Sequence, residues 1–160
     1  MNKEKIAFIP RQYLAVIAVL LAIMMSVLDG TIMNIALPTL AHDFDVTPST
    51  AIWIVNAYQL VITMTLLSFA SLGDIYGYRR IFLIGISIFV GASLACTLST
   101  SFWMLTAARV IQGFGAACVM SVNTALIRLI YPPQILGRGM GVNAMVVAVS
   151  AAAGPSIAGS

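Results

Sequence analysis

Of the 160 residues, 61% are apolar and 8% are charged, and the net charge is +3 with a single histidine. A water-soluble domain needs roughly 25% charged residues to solvate its surface, so a soluble enzyme and a nucleic-acid binder are both excluded. The basic residues stand at the ends of apolar runs, where they carry topological information and form no patch for nucleic acid.

A helix needs about 20 predominantly apolar residues to cross a bilayer. Five segments meet that requirement, and an all-α membrane protein of five transmembrane helices is expected. The first runs from about Gln12 to Leu37, behind an arm that carries Lys3, Lys5 and Arg11. It is longer than the apolar core of a signal peptide and has no A-x-A-like cleavage site, so it reads as a retained span. Pro38 is expected to end it, with His42 to Asp45 forming a polar loop. Thr47-Pro48 then offers an N-cap and a first-turn proline to the second segment, about Ser49 to Leu72. A turn over Gly73 to Arg80 leads to the third, about Ile81 to Leu98, and a hinge over Leu98 to Ser101 leads to the fourth, about Phe102 to Ile130. Tyr131-Pro132-Pro133 stops that helix, and the fifth segment covers about Gly139 to Ser160. It ends without a polar flank, as a cut inside a larger protein would. Tyr13, Trp53, Trp103 and Tyr131 fall near the expected membrane interfaces.

Lys and Arg alternate between the two ends of these segments. The N-terminal arm has three, the first loop none, the second Arg79 and Arg80, the third none, and the fourth is flanked by Arg128 and Arg138. The positive-inside rule then makes the N-terminus cytoplasmic. Cys96 and Cys118 lie inside apolar runs with no metal-ligand spacing, so neither a disulfide framework nor a metal site is indicated, and no cofactor motif is present.

Two ionisable residues interrupt the spans, Asp29 in the first and Arg109 in the fourth. A charge at the centre of an inserted helix costs about 2.5–3.5 kcal/mol, so each is expected to face a bundle interior, a partner or water. Asp29 lies roughly 13 Å from the Pro38 end and Arg109 roughly 9 Å from the Trp103 end of the same face, at 1.5 Å per residue. They should meet in one internal cavity. Two readings stand: a static pair that neutralises itself, or a reversible proton carrier at Asp29. Burial favours a neutral carboxyl and a nearby cation favours the charged form. Asn34, Thr31 and Gln112 lie close in sequence to the pair, and Asn56 and Gln59 share a face of the second helix. These and Asn123 serve either as interhelical hydrogen-bond glue or, for Gln112 and Asn34 especially, as cavity lining. Gly113, Gly115, Gly137, Gly139 and Gly141 permit close helix approach, and Gly154-Pro155 marks a kink that is either architectural or a bending point.

An intramembrane enzyme is disfavoured. Ser93 in Gly91-Ala92-Ser93 has no base within reach, because the histidine, His42, lies in a loop. No GxxxxGK[ST] loop is present for ATP.

Four stretches resemble motifs of the major facilitator superfamily, and within it the drug:proton antiporters of the EmrB/QacA type. Leu28-Asp29-Gly30-Thr31 with Asn34-Ile35-Ala36-Leu37-Pro38 is similar to that group's first-helix motif, L-D-x-T-x-x-N-x-A-L-P. Leu72-Gly73-Asp74-Ile75-Tyr76-Gly77-Tyr78-Arg79-Arg80 is similar to the loop signature G-x-L-x-D-R-x-G-R-K/R, with Ala70, Ile75 and Tyr78 as departures. The run from Arg109 through Gln112 to Ala116 resembles the fourth-helix motif whose arginine is implicated in proton coupling, and Gly154-Pro155 to Ala158-Gly159 resembles the fifth-helix antiporter motif. The resemblance implies five helices of an N-terminal six-helix bundle, in a multi-pass carrier of twelve or fourteen helices in the plasma (inner) membrane. It implies a small-molecule substrate, amphipathic or cationic, exchanged for protons, with the C-terminal transporter half as partner in the bilayer. Asp29, Arg109, Asn34 and Gln112 would form the coupling cavity. Gly73, Asp74, Gly77, Arg79 and Arg80 would form a gating loop, and Gly154, Pro155 and Gly159 a helix kink. The alternative is a truncated remnant or interaction partner of the same ancestry that transports nothing.

Overall fold

The computed structural model describes the backbone of residues 4–130, 134 and 136–158, and the side chains of 16–129, 134 and 136–152. Five helices follow one another: α1 Glu4–Asp43, α2 Pro48–Tyr76, α3 Tyr78–Thr97, α4 Phe102–Ile130 and α5 Leu136–Ala158. Four of them are long and apolar enough to cross a membrane, over Val16–Asp43, Pro48–Tyr76, Tyr78–Thr97 and Phe102–Leu129. In α5 the described apolar stretch is Leu136–Ala152, shorter than those four. The stop over Tyr131 to Pro133 lies outside the described residues, as do Gly159 and the side chains of Tyr13, Gly154 and Pro155.

The end of α1 differs from the sequence expectation. The helix runs through Pro38, which is exposed, and takes in His42 and Asp43. Proline removes one backbone donor, and in an apolar environment neighbouring groups tolerate the interruption. The actual stop is a Schellman closure. The Val46 N–H reaches the Ala41 carbonyl at 3.0 Å and the Asp45 N–H reaches the His42 carbonyl at 3.2 Å, with Asp45 left-handed at φ 50°. Thr47 caps α2 by accepting from the Thr50 N–H at 3.3 Å, and Pro48 takes the first helical position.

One residue, Gly77, separates α2 from α3. Its φ of +93° and ψ of 129° belong to a region open almost only to glycine.

The core is built around α4, against which α2 and α3 pack, while α1 lies against α5, α2 and α4. Small residues set the closeness of two crossings. A Cβ on Gly115 would sit 2.6 Å from the Phe89 nitrogen, and one on Gly85 would sit 2.6 Å from Cys118 Cβ, so α3 and α4 touch backbone to backbone. A Cβ on Gly113 would lie 3.0 Å from the Tyr58 carbonyl of α2. Apolar layers fill both ends of the bundle. Val19, Ile23, Ile81, Phe82, Val119 and Val122 form one, and Met33, Ile54, Phe102 and Leu105 form the other. Asp29 and Arg109 fall between these layers.

Candidate functional site

Asp29 on α1 and Arg109 on α4 are 80 positions apart in sequence and meet side chain to side chain. Arg109 Nη1 donates to Asp29 Oδ2 at 2.7 Å, a charge-assisted distance. The Arg109 side chain is 8% exposed and the Asp29 side chain 19%, so the carboxylate is the more accessible of the two. Gln112, one turn beyond Arg109 and fully buried, donates from Nε2 to Asp29 Oδ1 at 3.1 Å. Both carboxylate oxygens are therefore held by α4, through two residues that the i, i+3 spacing places on one face.

Two further contacts complete the cluster. The Cys96 thiol of α3 points to Gln112 Oε1 at 3.7 Å, which fixes the amide with its NH₂ toward Asp29. The Arg109 guanidinium lies 5.8 Å from the centre of the Tyr58 ring on α2, within cation–π range. Neither Tyr58 nor Cys96 stood out in the sequence. Tyr58 lies between Asn56 and Gln59 but turns its ring inward, and the one available signal was its place in the buried row Ala51, Ile54, Tyr58, Ile62. Arg109 Nε is buried with no acceptor among the described residues.

Beside the pair a cleft of about 310 Å³ opens between α1, α2 and α4, with Thr31, Asn34, Tyr58, Gln59 and Arg109 on its walls. Asn34 borders this cleft but does not touch the pair, because its amide donates to its own helix at the Gly30 carbonyl, 2.9 Å away. Asn56 and Gln59 are exposed and make no side-chain bond to another helix among the described residues, so the glue reading finds no support for them. Asn123 does bridge helices, donating from Nδ2 to Asn143 Oδ1 of α5 at 3.3 Å.

Gly73, Asp74, Gly77, Arg79 and Arg80 gather at the α2–α3 turn. Gly73 is buried where a Cβ would lie 2.9 Å from both the Tyr78 ring and Val122. Asp74 accepts a hydrogen bond from the Tyr78 hydroxyl, so a residue that departs from the loop signature supplies the partner of its acidic position. Arg79 and Arg80 are exposed, and neither forms an ion pair among the described residues. No group of three metal-ligating side chains occurs among the described residues.

Residues 19–160 match the sequence profile of the Major Facilitator Superfamily. The chain is 59% identical over 150 residues to the uncharacterized transporter YebQ of Escherichia coli, covering 94% of this chain and 33% of that one. It is 35% identical to the riboflavin transporter RibZ of Clostridioides difficile, over 93% of this chain and 33% of the relative. It is 38% identical to the drug efflux pump JefA of Mycobacterium tuberculosis, over 94% of this chain and 30% of the relative. The chain thus spans about a third of the length of the curated relatives it matches.

Proposed function

The chain belongs to the Major Facilitator Superfamily, and from that premise we propose that it forms the N-terminal part of a proton-coupled antiporter, of the EmrB/QacA type, that exports amphipathic or cationic small molecules. Its N-terminus lies in the cytoplasm and its helices cross the inner membrane. The observation that carries the reading is the Asp29–Arg109 pair, which holds both charges between two apolar layers, with Arg109 on the wall of the cleft between α1, α2 and α4. A bare ion pair buried for stability alone is a weak device, since a packed apolar pair of similar volume is often as stable. A carboxylate that water can reach, facing a fixed cation, can instead bind and release a proton as its surroundings change.

In this mechanism protonation of Asp29 cancels its attraction to Arg109 and frees the guanidinium and Gln112 to rearrange. Deprotonation restores a negative charge beside the cleft, where a cationic substrate would be drawn. Asn34 and Gln59 supply hydrogen bonds to the substrate, and Arg109 sets the proton affinity of Asp29. The α2–α3 turn, with Asp74, Arg79 and Arg80, closes the cytoplasmic side against the rest of the carrier. Gly154, Pro155 and Gly159 bend the fifth helix as the halves rock.

The test is efflux by the full-length protein in energised membrane vesicles. Asp29→Asn keeps the shape and loses the titratable group, so efflux driven by a proton gradient should fall to background while the protein remains in the membrane. Gradient-driven efflux at the unmodified rate would overturn the proton-carrier role. Similarity to a protein named as a riboflavin transporter favours a second reading, transport of a vitamin-like solute by the same cleft. Competition between riboflavin and a lipophilic cation such as ethidium in one assay separates the two.

A further inference from the structure

The ion pair separates two clefts of different chemistry. The first, between α1, α2 and α4, is bordered by Asn34 and Gln59. The second, of about 380 Å³, runs between α1, α3 and α4. Asp29 borders the second cleft and not the first, whereas Arg109 borders both. From Asp29 the second cleft passes Ala36 and Ser93 and reaches Phe44 and Ser99, which belong to the turns closing that end of the bundle. Along α1 its lining advances from Asp29 to Leu40, about 17 Å at 1.5 Å per residue.

Such a volume accommodates several waters, each of which needs about 10–15 Å³ of accessible space and two to four polar partners. Polar partners stand on α3 and at the two ends of the cleft, while Ile32, Met33, Leu40 and Leu105 make its apolar wall. The Thr97 and Ser99 hydroxyls donate to the Leu94 and Cys96 carbonyls of α3, which leaves their lone pairs free to accept. Arg109, which borders the inner end of the cleft, has its buried Nε without an acceptor among the described residues, a donor that a water would satisfy. The ionisable groups around Asp29 are Arg109 from α4, Tyr58 from α2 and Cys96 from α3.

Resting on the reading of Asp29 as proton carrier, we propose that the cleft between α1, α3 and α4 is a water path bringing protons to Asp29 from the end of the bundle that bears the α1–α2 and α3–α4 turns, separate from the cleft that takes the organic substrate. A proton passes from a water of the cleft to the Asp29 carboxylate, and in the opposite conformation the carboxyl gives it up to a water on the cytoplasmic side; no other bond changes. A bound substrate then does not plug the proton route.

Time-resolved infrared spectroscopy of the full-length protein after a drop in pH reads Asp29 protonation as a carboxyl band missing from Asp29→Asn. Ala36→Leu and Ser93→Leu fill the second cleft without touching the pair, and each should slow the growth of that band at least about tenfold, equivalent to about 1.4 kcal/mol of barrier. Val55→Phe, which fills only the first cleft, should leave the rate unchanged. Equal rates in all these variants overturn the path. A carboxyl band that persists in Asp29→Asn removes the premise about Asp29 instead. Should the leucine variants fail to fold, Cys96 of the Cys118→Ser protein serves as reporter, since it lines the second cleft. A small membrane-impermeant thiol reagent added on the α1–α2 turn side should modify it, and absence of modification overturns the path.

Discussion

The carboxylate of Asp29 is the one anion that faces the buried Arg109 among the described residues, and this decides what either substitution does. Removing one partner of a buried pair leaves an uncompensated charge, at a cost of about 3–5 kcal/mol. Asp29→Asn and Arg109→Gln should therefore each lower the thermal midpoint of the detergent-solubilised full-length protein. The double variant should be less destabilised than the sum of the two, because it leaves no unpaired charge. Strictly additive losses would show that the charges do not interact. The pair was legible in the sequence because ionisable residues inside apolar helices are expensive and their depths can be reckoned from helical rise. Its surroundings were not. A tyrosine and a cysteine are ordinary in apolar helices, and only the packing of α2 and α3 on α4 turns Tyr58 and Cys96 toward Arg109 and Gln112.

Helix–helix closeness governs the next scale. Gly113 and Gly115, two residues apart on α4, face different neighbours: Gly113 meets α2 at the Tyr58 carbonyl and Gly115 meets α3 at Phe89. The sequence marked both as packing residues, yet Gly85, which completes the α3–α4 crossing, carried no signal beyond being a glycine in an apolar run. Gly115→Ala would place a methyl 2.6 Å from a backbone nitrogen that has no freedom to rotate away. Overpacking of this kind costs about 1–3 kcal/mol, so the variant should lower the thermal midpoint. Gly91→Ala, with nothing within 4 Å of the added methyl, should leave it unchanged or raise it slightly. Equal midpoints for the two variants would mean that α3 and α4 do not touch backbone to backbone at Gly115. Helix ends were the less legible part. Pro38 is the strongest local stop signal in α1, but apolar surroundings let the helix pass through it, and the stop came from Asp45 adopting a left-handed conformation.

Across the whole molecule the exposed cations mark the two ends of the bundle as different. Arg79 and Arg80 sit in the first turn of α3, where the positive end of the helix dipole opposes them, so they add nothing to helix stability. The turns at the other end, over residues 44–47 and 98–101, contain no Lys or Arg. The proposed orientation, with basic loops on the cytoplasmic side, would account for cations placed against their local electrostatics. Alkaline phosphatase, active only after export, should be active when joined after Asp45 or after Thr100 and inactive when joined after Arg80. Arg79→Gln together with Arg80→Gln should weaken that contrast, because the turn then loses the charge that retains it. Activity after Arg80 in the unmodified sequence would invert the orientation. It would place the second cleft's opening, and with it the side from which Asp29 is protonated, in the cytoplasm.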